Sequence, residues 1–345
     1  MSPLWIRRLC IRAVDFLYGC LVLLPLGVIL SKRALAGFGT GGWDESHIQN
    51  LDGKVAVVTG ANAGIGYHTV RRLASKGAKV YLAARSESRA KAAIKRLLGD
   101  NPSIPPENLV WLRLDLSSQA QVVEAARELR AKEQRLDILV NNAGIDPYNY
   151  VRTSDGFEMA MAVNHIGHWT LTYCLLPLLK ATAAQKGSDV RVVTVSSSGE
   201  ARASPSNHFT CARDLDDACA SPGWEDSCLG QARRYGTTKL ANILFATELQ
   251  RRMDVEPGNI ISLSLNPGPV KTEGAAGAGA RTTLFAAAAD EVRENSERWK
   301  GRFLDGPGRV KSPSRRAQDV VAARNLWSIT AAAVRATGAL EKLEM

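Results

Sequence analysis

The chain is predicted to fold as an α/β protein, a doubly wound parallel sheet with helices on both faces. Three observations predict this. Short β-branched runs alternate with helical stretches along most of the 345 residues, the pattern that yields parallel strands joined by crossover helices. The first run is followed by a glycine-rich turn and then a helix, the setting of a dinucleotide-binding βαβ unit. Polar side chains fall at the carboxyl ends of the runs, where sheets of this kind hold their ligands.

Residues 55–58, "VAVV", form the first strand; 67–76 form a helix stopped by Gly77; 80–84 form the second strand. Between the first strand and the helix stand Gly60, Gly64 and Gly66. Glycines there let the backbone turn sharply and let a pyrophosphate approach the helix N-terminus, where free N–H groups favour anions. The end of the second strand reads Ala84–Arg85–Ser86. An NAD site usually places a carboxylate there for the ribose 2′-hydroxyl, whereas a guanidinium suits a 2′-phosphate. NADP(H) is therefore expected over NAD(H), the alternative being that Arg85 is a solvated loop residue. A strand follows at 108–118 with Asp115 near its end, then a helix at 118–133 and a strand at 136–144 that carries Asn142. A helix at 164–179, a strand at 189–198 closing on serines 196–198, and a last clear strand at 259–272 ending on Thr272 complete the pattern. Asp115, Asn142, the serines and Thr272 thus gather at one edge of the sheet. Asp115 as a helix cap, and Asn142 and Asn164 as buried structural residues, remain alternatives.

"RRYGTTKLANIL" (233–244) puts Tyr235 and Lys239 four positions apart, on one face of a helix. The spacing alone is a weak signal. With "TGANAGIG" (59–66), "LDL" (114–116), "NNAG" (141–144), "VNHIGHW" (163–169), "VSSS" (195–198), "YGTTK" (235–239) and "NPGPVKT" (266–272) in that order, the chain resembles the short-chain dehydrogenase/reductase superfamily. The likeness extends over roughly residues 51–272 and is nearest the branch of retinol dehydrogenases and WW-domain oxidoreductase. It implies a Rossmann-type sheet and a catalytic set of Asn164, Ser197, Tyr235 and Lys239. Tyr235 would exchange a proton with the substrate oxygen. Lys239 would bind the nicotinamide ribose and lower the phenol's pKa. Ser197 would stabilise charge on the substrate oxygen, with Ser196 and Ser198 as alternatives, and Asn164 would hold a relay water. The cofactor NADP(H) would lie on Gly60, Asn62, Gly64, Ile65, Gly66, Arg85, Asp115, Asn142, Ala143, Gly144, Pro267, Gly268, Val270 and Thr272, together with Tyr235 and Lys239.

The amino terminus differs in kind. Residues 13–30, "AVDFLYGCLVLLPLGVIL", are almost wholly apolar from Phe16 onward, after Arg7, Arg8 and Arg12 and before Lys32 and Arg33. The run is short of the roughly 20 residues of a full span and contains Pro25. A membrane anchor is the favoured reading, over a secretory signal or an interfacial helix. The expected domains are an anchor and linker over 1–50 and an NADP-binding catalytic domain over 51–345. The expected location is the endoplasmic reticulum or another intracellular membrane. The net charge of +10 fits an anionic ligand or surface, but no nucleic-acid-binding signature accompanies it. The basic stretch 298–316 reads as a solvated loop. Cys211, Cys219 and Cys228 are too widely spaced for a structural zinc site, and no metal is expected.

Three segments depart from the family pattern. Residues 199–234 form a long loop beside the site, a substrate wall or lid, with Phe209 and Trp224 placed to face an apolar substrate or simply to anchor the loop. "EGAAGAGARTT" (273–283) is expected to be mobile. The carboxyl end lacks the usual glycine–aromatic–proline strand, which puts completion of the sheet in doubt. The leading expectation is a membrane-associated NADP(H)-dependent oxidoreductase interconverting an apolar alcohol and its carbonyl (retinoid, sterol, lipid or polyketide-like), with a homodimer allowed. The alternative is a catalytically impaired nucleotide-binding scaffold or sensor on the same fold. A serine hydrolase is excluded by the lack of a G-x-S-x-G elbow.

Overall fold

The computed structural model describes residues 43–269 and 273–343. The apolar run at 13–30, Val270 and Thr272 lie outside the described residues. Within them, no helix is long and apolar enough to cross a membrane.

Seven strands among the described residues form one parallel sheet in the order β3-β2-β1-β4-β5-β6-β7. They are β1 (Val55–Thr59), β2 (Lys79–Ala84), β3 (Leu109–Arg113), β4 (Ile138–Asn141), β5 (Val190–Val195), β6 (Ile260–Asn266) and β7 (Phe303–Asp305). Every residue of β1 is buried, as expected for a strand covered on both faces. Its side chains divide between two cores: Val55 and Val57 join one, Ala56 and Val58 the other. The first core is covered by α3 (Gln119–Lys132), α4 (Gly167–Ala183), α5 (Cys228–Met253) and α7 (Val320–Ala336). The second is covered by α1 (Gly64–Ser75), α2 (Glu87–Asp100) and α6 (Glu273–Ala288). The chain reverses direction across the sheet between β1 and β4, and the crevice beyond the carboxyl ends of those strands is where ligands bind in such folds.

Several sequence expectations are corrected. The segment at 273–283, expected to be mobile, is helical and belongs to α6. Its alanines let it lie close on α1, where a β-carbon on Gly277 would touch the His68 ring at 3.7 Å. Residues 43–50, expected as linker, pack onto the domain. Trp43 and Ile48 are buried, and Trp43 meets Phe285 edge-on at 5.5 Å. The doubtful last strand is supplied by β7, which precedes the final helix and pairs with β6 through Leu265 and Leu304. The stretch 298–316 is therefore no simple solvated loop: Trp299, Phe303 and Leu304 are buried. α7, capped by Asp319 on the amides of Val321 and Ala322, seals the far side of α5. There Trp327 stacks on Phe245 at 6.0 Å and meets Trp169 edge-on at 5.4 Å.

Candidate active site

The glycine turn closes β1 onto α1. Gly60 has φ +65°, a conformation that costs L side chains roughly 1–2 kcal/mol. Gly66 is more constrained: a β-carbon there would lie 2.6 Å from the Gly60 carbonyl oxygen and 2.8 Å from Asn142 Nδ2. The turn therefore admits only glycine at position 66, and it presents the amides at the start of α1 to the crevice. Asn62 is half-buried beside it, and Ile65 packs its side chain into the core beneath. Asn62 also lines a cavity of about 260 Å³ with Arg85, Ser86 and Arg89. No carboxylate is among the lining residues. Arg89, in the first turn of α2, was not singled out by sequence reasoning. Its signal was its position four residues after Arg85, one helical turn along once α2 begins.

At the end of β4, Asn142 donates through Nδ2 to the Thr59 carbonyl at 2.7 Å. The amides of Asn142 and Ala143 both donate to Thr59 Oγ1 at 2.9 Å. A buried histidine, His168 of α4, reaches the same hydroxyl. Burial lowers its pKa to about 4, so the ring is neutral. Its Nδ1 lies 3.0 Å from the Asn164 carbonyl, which can only accept, so Nδ1 carries the proton. Nε2, 2.8 Å from Thr59 Oγ1, must then accept from that hydroxyl. One threonine thereby ties the glycine turn, the Asn142–Gly144 turn and α4 together. Neither Thr59 nor His168 was picked out from the sequence. The hint was a hydroxyl directly before Gly60 and a histidine one helical turn after Asn164.

Asn164 sits in a π-helical turn, Ala162–Ile166, a distortion often found at functional sites. Its side chain accepts from the Ile145 amide at 2.8 Å and donates to the Ile145 carbonyl at 3.0 Å and to Thr238 Oγ1 at 3.1 Å. This is the structural role that the sequence left open, a clasp on the loop after Gly144. Asp115 is held by its own turn, accepting from the Ser117 amide and hydroxyl at 3.0 and 2.6 Å; the cap of α3 is Ser118 instead. Gly268, after β6, adopts φ +83° and donates its amide to Asn266 Oδ1, with Pro267 half-buried beside it.

The three serines after β5 have separate tasks. Ser196 is buried and donates to the Lys239 carbonyl at 2.6 Å. Ser198 is exposed. Ser197 faces the Tyr235 phenol closely enough to lower its pKa, while its oxygen accepts the Gly199 amide at 3.0 Å. Lys239 is buried, donates from Nζ to the Val195 carbonyl at 3.3 Å and lies 5.5 Å from the centre of the Tyr235 ring. A β-carbon on Gly144 would meet Lys239 Nζ at 3.5 Å. Tyr235, Lys239, Ser197, Gly144 and the clasp of Asn164 are thus brought together.

Electrostatics differ from expectation at one point. Lys239 was expected to lower the Tyr235 pKa. Burial instead raises it, partly offset by the Ser197 hydrogen bond and by Arg202, while Asp146 adds to the rise. Burial lowers the pKa of Lys239 itself to about 8, below that of the phenol, so its ammonium is already neutral where the phenol titrates.

The long loop is shorter than expected, since 228–234 form the first turns of α5. Phe209, expected to face substrate or anchor the loop, does the latter. It is 1% exposed and at φ +55°. Trp224 is 40% exposed. Arg234, fully buried next to Tyr235, donates to the carbonyls of Ala218 (3.1 Å) and Glu225 and lies 3.9 Å from Glu158.

Comparison with known proteins agrees with this architecture. A family model for short chain dehydrogenases matches residues 54–211. A short chain dehydrogenase/reductase of Colletotrichum higginsianum is 70% identical, with the alignment covering 99% of this chain and 90% of that protein. One of Gibberella zeae is 67% identical, covering 99% of this chain and all of that protein. Among solved structures, an uncharacterized protein of Mycobacterium paratuberculosis is 31% identical with a TM-score of 0.65, covering 85% of this chain and 98% of that one. The chain belongs to the short-chain dehydrogenase/reductase family. It is accordingly an oxidoreductase of a family whose members bind NAD(P).

Proposed function

We propose that the protein is an NADP(H)-dependent oxidoreductase that interconverts an apolar alcohol and its ketone or aldehyde, in the manner of the retinol dehydrogenase branch. The observation that carries the reading is the convergence of Tyr235, Ser197 and Lys239 beside a glycine turn that leaves no room for a side chain at position 66. The cavity between Arg85 and Arg89 supports NADP(H): two guanidinium groups can grip a 2′-phosphate by charge-assisted hydrogen bonds. The bound cofactor would supply or accept the hydride, and the protein would orient it and handle the proton. Gly60, Asn62 and the start of α1 would receive the pyrophosphate, and Lys239 a ribose hydroxyl.

The raised pKa keeps Tyr235 protonated at neutral pH, ready to hand its proton to a substrate oxygen. Ser197 accepts from the Gly199 amide, which holds its hydroxyl beside the phenol, where a substrate oxygen would become the acceptor of its proton. Such preorganised donors act where negative charge develops and need no reorganisation there. Lys239, at about 8, stays charged at neutral pH and loses its proton above it. Activity that needs the ammonium should accordingly fall on the alkaline side of pH 8. Exposed Ile145, on the loop that Asn164 holds beside the site, supports an apolar substrate, and residues 13–30 would hold the enzyme at an intracellular membrane that concentrates it.

The test is turnover of a panel of apolar ketones by purified protein with NADPH, followed by loss of reduced-nicotinamide absorbance. Tyr235→Phe should lose about 10²–10⁴ of the rate and still bind the dinucleotide. Arg85→Ala and Arg89→Ala should each lower the preference for NADPH over NADH about tenfold, a loss of about 1.4 kcal/mol. Unaltered turnover in Tyr235→Phe would sink the mechanism.

A further inference from the structure

Immediately after Ser197 the chain makes a 3-10 turn, Ser198–Arg202, and the backbone on both sides of Arg202 is fixed. Glu200 donates its amide to the Ser197 carbonyl, and Ala203 donates to the Glu200 carbonyl at 3.0 Å. The Ser204 amide donates to Thr237 Oγ1 at 3.0 Å. The turn lies so close on α5 that a β-carbon at Gly236 would stand 2.6 Å from the Ala203 nitrogen and 2.7 Å from the Arg202 carbonyl carbon.

The charged neighbours of Arg202 are committed elsewhere. The Glu200 carboxylate accepts from the Ser314 amide (2.8 Å) and hydroxyl (2.5 Å). Arg316 donates to the carbonyls of Ala203, Ser204 and Asn207. Arg202 itself stays exposed, and its guanidinium turns toward the phenol. A β-carbon added to Gly199 would meet Tyr235 Cε1 at 3.1 Å and Arg202 Nη2 at 3.2 Å. Both side chains therefore come within contact distance of one point beside Gly199. The geometry is that of an exposed cation near the ring of the proposed proton donor, carried on a turn of held backbone that follows Ser197.

We propose that Arg202 is a specificity-determining residue that binds a second, acidic oxygen of the substrate while the reacting carbonyl lies at Ser197 and Tyr235. The inference rests on the oxidoreductase reading above and narrows its substrate class. The substrate is an apolar ketone or alcohol carrying a carboxylate or enolate oxygen a few bonds from the reacting carbon. A guanidinium satisfies such an oxygen with two parallel N–H donors, and an acidic oxygen gains more from it than a neutral one. The charged groups facing Tyr235 are Asp146, Arg202 and Lys239, and Arg202 also opposes the rise in the phenol's pKa. Removing it would therefore slow every substrate somewhat through Tyr235. A binding role is separable because it falls on the acidic substrate alone.

The experiment compares a long-chain γ-keto acid with its methyl ester, using NADPH and the wild type, Arg202→Gln and Arg202→Lys. The readout is the ratio of kcat/KM for acid over ester. It should exceed about ten in the wild type, fall at least tenfold in Arg202→Gln, and fall less in Arg202→Lys, which keeps the charge but not the fork. A ratio unchanged in Arg202→Gln, with both substrates slowed together, would show that Arg202 acts only on the phenol and would overturn the proposal. Unchanged dinucleotide affinity in each variant verifies folding. If the wild type turns over neither compound, the oxidoreductase reading fails for this substrate class. Calorimetric titration of the acid and the ester into dinucleotide-saturated wild type and Arg202→Gln still decides the inference. Tighter binding of the acid that the variant loses supports it; equal binding overturns it.

Discussion

The two halves of the site are built by different means. On the cofactor side, from β1 to β5, the geometry is made by backbone. Gly60 and Gly66 let two chain segments approach within a side chain's width, and Thr59 gathers the amides of Asn142 and Ala143. On the substrate side, residues 199–227 and 299–318 contain little regular structure, and long side chains replace it. Arg234 and Arg316 hold loop carbonyls, and Glu200 holds Ser314. The site thus combines a backbone-determined half with a half whose shape depends on a few charged clamps. Each clamp is a hydrogen bond to a charged group, worth about 1.5–3 kcal/mol.

Gly66→Val attacks the backbone-made half directly. With the added carbon 2.6 Å from a carbonyl oxygen, dinucleotide affinity should weaken at least about a hundredfold, on the order of 3 kcal/mol, measured by fluorescence titration with NADPH. Affinity within a few fold of wild type would mean that the close approach does not shape the cofactor site. Acid should loosen the joint between the glycine turn and α4. His168 has its pKa depressed to about 4. Its contribution is complete above the ordinary value of 6.5 and is lost as pH falls toward 4. At pH 5 that amounts to about 2 kcal/mol relative to neutral pH, and thermal melts of His168→Gln against wild type should show a shallower acid decline. Arg316→Ala should act only on the other half. It removes the donors to three carbonyls of the 203–207 segment, so kcat/KM should drop about tenfold, near 1.4 kcal/mol, while NADPH affinity stays within twofold. A parallel fall in NADPH affinity would erase the distinction between the halves.

The same contrast explains what the sequence disclosed. A turn that requires glycine leaves a mark, because few other residues survive there, and the spacing of Gly60, Gly64 and Gly66 marked the cofactor half. Alternating β-branched runs marked β1 through β6, since strands buried on both faces demand them. A clamp such as Arg316 leaves no comparable mark. An arginine that caps carbonyls looks like any solvated cation until the fold brings the carbonyls to it, which is why 298–316 read as a plain loop. β7 was obscured by its three-residue length and by its place ahead of the last helix. α6 was obscured because alanine and glycine together suggest mobility, although alanine is the best helix former. Thr59 and His168 were obscured for a third reason. Each is common, and only their meeting across 109 positions gives either a task.

The clamp between Ser314, Arg316 and the turn after Ser197 has a consequence for biosynthesis. Domains assemble from the amino terminus as the chain leaves the ribosome, and the segments from β1 to β5 precede the clamp by more than a hundred residues. A nascent chain thus has the glycine turn and β1 to β5 in hand well before residues 314–316 emerge to fix the wall opposite. The wall that would meet the substrate is thus fixed later in synthesis than the turn that would meet the coenzyme.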